Sequence, residues 1–212
     1  MNETFKKIKI SLRERLNPFL APIRRIGIDT SFTIISNNCW GGHVYRYFGL
    51  NYSSPTVGLY IFSEDYIRLL KDLKHYFETP LQIIPIEQSR YKEILVKKGQ
   101  TNVPIGLLGD VEIVFLHYKS PEEAITKWNR RVKRVNYENL IVKYSEMNLF
   151  TEKTLRQFDD LPYRNKVMFV TRRRGYQSEI LFKYYKGANE IPDDTTYFRR
   201  YVNLRKLVNK GR

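Results

Sequence analysis

The chain reads as an α/β protein, a three-layer α/β/α, Rossmann-like domain built on a mostly parallel or mixed sheet. Three observations predict this. Short apolar runs rich in β-branched residues alternate with helix-patterned segments for most of the length. Polar clusters sit at the ends of those runs, at Ser36–Gly42, His117–Lys119 and Thr171–Arg174. Folds of this class bind ligands at the carboxyl ends of strands, near a topological switch point. Finally, 212 residues with 42% hydrophobic content suffice for one substantial core, more readily than for two small ones. The expected organisation is a basic amphipathic segment, 1–28, followed by a single domain, 29–212, with a basic helical end.

The elements run in order along the chain. Phe5, Ile8, Leu12 and Leu16 repeat at helical steps among Lys6, Lys7, Lys9, Arg13 and Arg15, which predicts a basic amphipathic helix over 3–16. Asn17-Pro18 should end it, and Pro22 should break the next segment. Phe32–Ser36 is the first strand, and it stops at a glycine-bearing turn before a helical segment, His43–Phe48. Thr56–Phe62 reads as a second strand. Ser63 is a plausible cap for a helix over Glu64–Phe77, closed by Thr79-Pro80. Leu81–Ile84 is a short strand candidate. Lys97–Thr101 is a turn-rich connection, and Gly106-Leu107-Leu108-Gly109-Asp110 precedes the strong strand Val111–Leu116. Ser120, Pro121 and Glu123 then open a helix to about Val135, with Ala124, Trp128, Val132 and Val135 inward. Asn139–Tyr144 is a strand, Thr151 caps a helix through Asp159, and Lys166–Thr171 is the last clear strand. A helix is expected over Tyr197–Val208.

Charge is unevenly spread. The net formal charge is +15, with 37 Lys and Arg against 22 Asp and Glu. Residues 1–28 hold seven basic and two acidic groups, 29–155 hold 16 and 14, and 156–212 hold 14 and six. Basic ends on a balanced centre suit contact with a polyanion or an anionic lipid surface. No run reaches the roughly 18 apolar residues of a membrane span, and the basic N-terminus lacks the apolar region of a secretory signal. Cys39 stands alone, which excludes an internal disulfide and fits a reducing cytoplasm.

Two groups of residues suit phosphate. The Ser36-Asn37-Asn38-Cys39-Trp40-Gly41-Gly42 turn offers backbone N–H groups and a helix start to one spot, although glycines in a tight strand-to-helix turn have a purely conformational use as well. On the Trp128 helix, Arg130 and Arg134 share a face and Arg131 lies in the neighbouring row; guanidinium forks bind phosphate bidentately, but such a charge run is also an ordinary solvated face. Arg172, at another strand end, makes a similar case. For proton transfer the candidates are His117 and Asp110. In a straight strand they would stand about 23 Å apart, at about 3.3 Å per residue, so they serve one bond only if Asp110 belongs to a loop. His43 and His75 are weaker candidates, and Cys39 has no base near it in sequence. No D-x-D, H-E-x-x-H or cysteine cluster signals a metal, and no G-x-S-x-G elbow signals a hydrolase.

Several of these stretches together resemble one family. They are Ser36–Gly42, Tyr52-x-Ser54-Pro55-Thr56-Val57-Gly58-Leu59 and Pro104-Ile105-Gly106. Phe115-Leu116-His117-Tyr118 comes next, with Glu123-Ala124, Trp128, Arg131 and Arg134-Val135-Asn136, then Phe158-Asp159-x-Leu161-Pro162-Tyr163 and Lys166-Val167. Over about residues 30–172 the chain is similar to a bacterial domain-of-unknown-function family, number nineteen-nineteen, whose members are described as exopolysaccharide biosynthesis proteins. The resemblance implies an α/β/α fold and a link to capsule or surface glycans, and it carries no catalytic residue with it.

The resulting expectation is a glycosyltransferase-like enzyme of capsular or exopolysaccharide assembly, or a related group transferase. A nucleotide sugar would be the co-substrate, with no covalently bound cofactor and no metal. The acceptor would be a glycan or lipid-linked glycan, and the site cytoplasmic, at the inner membrane face. In this reading the 36–42 turn and the arginines hold the diphosphate, while His117 or Asp110 activates the acceptor. Two alternatives stay open: a non-catalytic scaffold of the polysaccharide machinery, and a basic nucleic-acid-binding protein. The second is less favoured, because no RRM, KH, zinc-finger or helix-turn-helix pattern is present.

Overall fold

The computed structural model describes residues 15–209. The helix expected over 3–16 therefore lies almost wholly outside the described residues, along with Lys210 and Arg212. The described chain opens in a helix, 15–25 (α1), which continues through Pro18 and Pro22 instead of stopping there. Pro22 deprives only the Pro18 carbonyl of its intrahelical donor, and both prolines are exposed, so water can take that place.

Strand β1 (Thr33–Ser36) leads into α2 (Trp40–Phe48), closed by Gly49 at φ 62°. The stretch expected as a strand at Thr56–Phe62 is mostly a turn. Pro55 and Gly58, the latter at φ 82°, bend the chain, and only Tyr60 pairs, bridging Val114. The expected helix over Glu64–Phe77 is two, α3 (Ser63–Lys71) and α4 (Leu73–Glu78). They break at Asp72, which leaves helical geometry to accept from the N–H of His75. Then come β2 (Gln82–Ile84), α5 (Lys92–Lys97), and the hairpin β3 (Ile105–Leu108) and β4 (Val111–Val114). The rest is α6 (Pro121–Val132), β5 (Leu140–Ser145), α7 (Glu152–Asp160), β6 (Lys166–Val170), β7 (Glu179–Leu181) and α8 (Leu204–Val208). Both α6 and α7 carry the predicted caps, Ser120 and Thr151.

The main sheet has the order β1-β5-β6-β7 and is parallel throughout. A second sheet, β2-β3-β4, is antiparallel. Alternation along the parallel strands feeds two cores. Ile35, Val142, Tyr144, Met168 and Val170 pack with α3, α6, α7 and the antiparallel sheet. Ile34, Ile141, Val167 and Phe169 pack with α2, α8 and the C-terminal segment. Three layers result. The four parallel strands progress in one direction, so their order never reverses and they contain no switch-point crevice. Lys143 and Ser145 fall on the α2 side, at the carboxyl end of a central strand. Among the described residues no helix is long and apolar enough to cross a membrane.

Candidate functional site

At the carboxyl edge of the parallel sheet the fold buries an ion pair. Lys143 and Asp194 are both fully buried, and the Lys143 ammonium contacts Asp194 Oδ2 directly. Around them the strand end and the turn after β1 converge. Lys143 donates to Asn38 Oδ1 at 2.9 Å, Asn38 Nδ2 donates to Asp194 Oδ2 at 2.9 Å, and Ser145 Oγ donates to the same oxygen at 2.5 Å. Burial pulls the Lys143 ammonium below its ordinary value, and Asp194 pulls back. The other carboxylate oxygen, Asp194 Oδ1, is buried with no hydrogen-bond partner among the described residues, as is Thr171 Oγ1 at the end of β6.

Cys39, at the N-cap of α2, and His43, on its first turn, are half-buried and lie within electrostatic reach of Asp194. Burial pushes the Cys39 thiol up to about 11, with Asp194 adding and Lys143 opposing. It is therefore a thiol at neutral pH and a poor nucleophile. His43 is held below its ordinary value, first by burial and then by Arg46, against Asp194 and Asp193, with a further downward pull from His117. A neutral imidazole at neutral pH is a competent proton acceptor. His43 opens onto a pocket of about 460 Å³, whose walls include Arg24, Arg46, Tyr47, Thr195 and Arg199.

The 36–42 turn builds this site in a different way from the one expected. Asn37 clasps β5 by exchanging bonds with Ser145 through both ends of its amide, at 3.1 Å each, and Ser36 Oγ donates to the Asn38 carbonyl. Gly41 and Gly42 sit inside α2 as close-packing positions. A Cβ on Gly42 would lie 2.9 Å from Val57 Cγ1, and one on Gly41 would lie 3.1 Å from Ile34 Cγ2. Asn38 alone of this turn hydrogen-bonds to the charged pair.

The other expected residues scatter. Arg131 is buried, and its Nη1 donates to the Val57 carbonyl at 3.0 Å and to Tyr118 Oη at 2.6 Å, so burial and these bonds tie it to the fold. Arg130 is exposed on α6, and Arg134 makes only a long contact, 3.4 Å, to the Tyr52 carbonyl. Asp110 lies in the β3–β4 turn, accepting from Tyr76 Oη at 2.7 Å and pairing with Arg68, while β4 separates it from His117. The two cannot share one bond. His117 is exposed and near enough to His43 to depress it. Arg172 is exposed; its neighbour Arg174 is committed to Glu146 and Glu152.

Sequence reasoning missed Lys143, Ser145 and Asp194. Lys143 left a signal, as the one charged residue inside the apolar run Leu140–Tyr144. Asp194 left none, being 51 positions away in an irregular segment.

The three-layer parallel-sheet fold with a polar cluster at the carboxyl edge defines the class. Within it, the chain belongs to a family described as a domain of unknown function (DUF1919), whose model matches residues 20–210. It is 31% identical over 191 residues to an uncharacterized protein of Haemophilus influenzae, covering 89% of this chain and 86% of that one.

Proposed function

We propose that the protein is a group-transfer enzyme of surface-polysaccharide assembly, a glycosyltransferase drawing on a nucleotide sugar, acting at the cytoplasmic face of the membrane. One arrangement carries the reading: His43, within electrostatic reach of the buried Asp194, lines an open, arginine-walled pocket between α1, α2 and the C-terminal segment. In the transfer step His43 takes the proton of an acceptor hydroxyl. The oxygen attacks the anomeric carbon, the bond to the donor phosphate breaks, and the diphosphate leaves with the electron pair. Cationic side chains would carry that charge. Lys143 and Asp194 are too deeply buried to touch substrate and act as positioning residues.

Membrane association is supported by α1. Leu16, Phe19, Leu20 and Ile23 repeat at the spacing of one helical face, yet that face points outward, with Phe19 76% and Ile23 62% exposed. Arg15 and Arg25 flank it, exposed as well. An apolar stripe with basic flanks suits an anionic lipid interface.

The test is a thermal-shift screen against nucleotide sugars and free nucleotides, with and without divalent metal, on wild type and His43→Gln. Expected is stabilisation of both proteins by one nucleotide sugar, with nucleoside diphosphate released to a glycan acceptor only by wild type. No shift with any donor, or release undiminished in His43→Gln, would overturn the reading.

A further inference from the structure

We propose that the cleft between α1, α2 and the C-terminal segment is a binding site for a diphosphate or phosphate ester; this extends the transferase reading by naming the group that anchors its substrate. Two adjoining pockets, of about 430 and about 460 Å³, share Arg24, Tyr47 and Arg199 and so form one cleft. Arg46, Arg200 and Arg205 complete its basic lining, and among the described residues no Asp or Glu lines either pocket.

These guanidinium groups come from opposite ends of the chain. Arg24 belongs to the N-terminal basic segment and Arg199, Arg200 and Arg205 to the C-terminal one. The fold draws them together: Arg205 donates to the Ile26 carbonyl at 2.6 Å, and Asn209 donates to the Gly27 carbonyl at 3.0 Å. Gathering like charges is unfavourable unless an anion joins them.

Among the described residues, the hydrogen-bond partners of Arg24 and Arg205 are neutral. Arg24 Nη1 donates to Asn17 Oδ1 at 2.7 Å and to the Tyr47 carbonyl at 3.0 Å, and its guanidinium lies 4.2 Å from the Tyr47 ring. Arg199 approaches the same ring at 5.3 Å, and Arg200 the Tyr197 ring at 5.1 Å. Among the described residues, Arg24, Arg200 and Arg205 pair with no carboxylate. Arg24 and Arg205 spend only Nη1 on these bonds, which leaves planar N–H edges oriented by aromatic and backbone contacts. That is the geometry for bidentate phosphate recognition. A cleft of this size takes a headgroup rather than a strand of nucleic acid. His43, on the wall of the larger pocket, then lies beside whatever the phosphate carries.

The test is calorimetric titration with inorganic pyrophosphate at fixed ionic strength, on wild type, Arg24→Gln, Arg200→Gln and, as a remote control, Arg130→Gln. Expected is saturable one-site binding, weakened about tenfold or more in Arg24→Gln and Arg200→Gln and unchanged in Arg130→Gln. Circular dichroism melts establish that each variant is folded. The source is separated with vesicles of phosphatidic acid. Release of bound protein by pyrophosphate assigns the site to a lipid-borne phosphate, whereas tight pyrophosphate binding that leaves vesicle association untouched assigns it to a soluble ester. Binding no stronger than sulfate, equal loss in Arg130→Gln, or much tighter binding of a single-stranded oligonucleotide at equal phosphate concentration would overturn the proposal. Pyrophosphate binding with no donor turnover would remove the transferase reading and leave this site standing.

Discussion

At the scale of single residues, the site rests on a charge in an expensive place. Lys143 is fully buried in a central strand, where an ammonium loses its hydration and regains Asp194, Asn38 and the ring faces of Trp40 and Phe169, at 5.8 and 5.2 Å from the ring centres. Removing one partner leaves the other charge unpaired, so Asp194→Ala should cost about 3–5 kcal/mol. The double variant Lys143→Met/Asp194→Ala should recover part of that loss, because an apolar pair carries no desolvation cost. Urea denaturation of Asp194→Ala, Lys143→Met and the double variant measures both, and strictly additive losses would refute the pairing. His43 gives a second prediction. Its folded value lies below its ordinary one of 6.5, so above that pH both folded and unfolded chains hold it neutral. As pH falls through 6.5 the unfolded chain takes the proton first, and stability drops until the native imidazole protonates as well. Melting temperatures from about pH 7.5 to about pH 5.5 should fall less steeply in His43→Gln than in wild type.

At the scale of elements, α2 is held close to the segment after Pro55, and Gly42 makes the approach possible. Gly42→Ala pushes a methyl into Val57 Cγ1 at 2.9 Å and should destabilise by about 1–3 kcal/mol in chemical denaturation; a neutral result would mean the segment shifts freely. The elements also mark what local sequence encodes. Two of three caps were legible: Ser120 and Thr151 start α6 and α7, because a cap is a contact between residues three apart, whereas Ser63, expected as a cap, is the first residue of α3 and donates its hydroxyl to the Met147 carbonyl. Strand β3 was not. Its Gly106 looks like turn punctuation, but it is a packing position, with Leu81 and Phe115 both 2.6 Å from where a Cβ would stand. Thr56–Phe62 failed the opposite way: its β-rich composition answers to burial against β1 and α2, and Pro55 and Gly58 decide the backbone. The site showed the same division. Asn38 could be found as a polar residue at a strand end. The Arg131 fork looked equally suited to phosphate, and only tertiary structure shows it buried and tied to Val57 and Tyr118.

Across the whole molecule, the asymmetry of charge becomes a location. A net charge of +15 concentrated toward two chain ends would be unremarkable if those ends lay apart. They meet instead, with Arg24, Arg199 and Arg200 lining one pocket, beside a helix whose apolar stripe faces outward. Two consequences separate cleanly. Phe19→Asp/Ile23→Asp should abolish sedimentation with anionic vesicles while leaving the melting temperature unchanged, since these side chains stabilise nothing inside the fold; unchanged sedimentation would rule out α1 as the docking element. The cleft answers to ions instead. Mutual repulsion of its arginines acts over a screening length of about 30 Å at 0.01 M salt and about 10 Å at 0.1 M. The wild-type melting temperature should therefore rise across that range of sodium chloride. Arg24→Gln/Arg200→Gln should melt higher than wild type at the low end and respond less to salt, because the repulsion it relieves is the one that salt screens. A variant that melts lower at every salt concentration would show instead that the two arginines hold the ends together through their contacts with Asn17, Tyr47 and Tyr197, and that their charge is incidental to the fold.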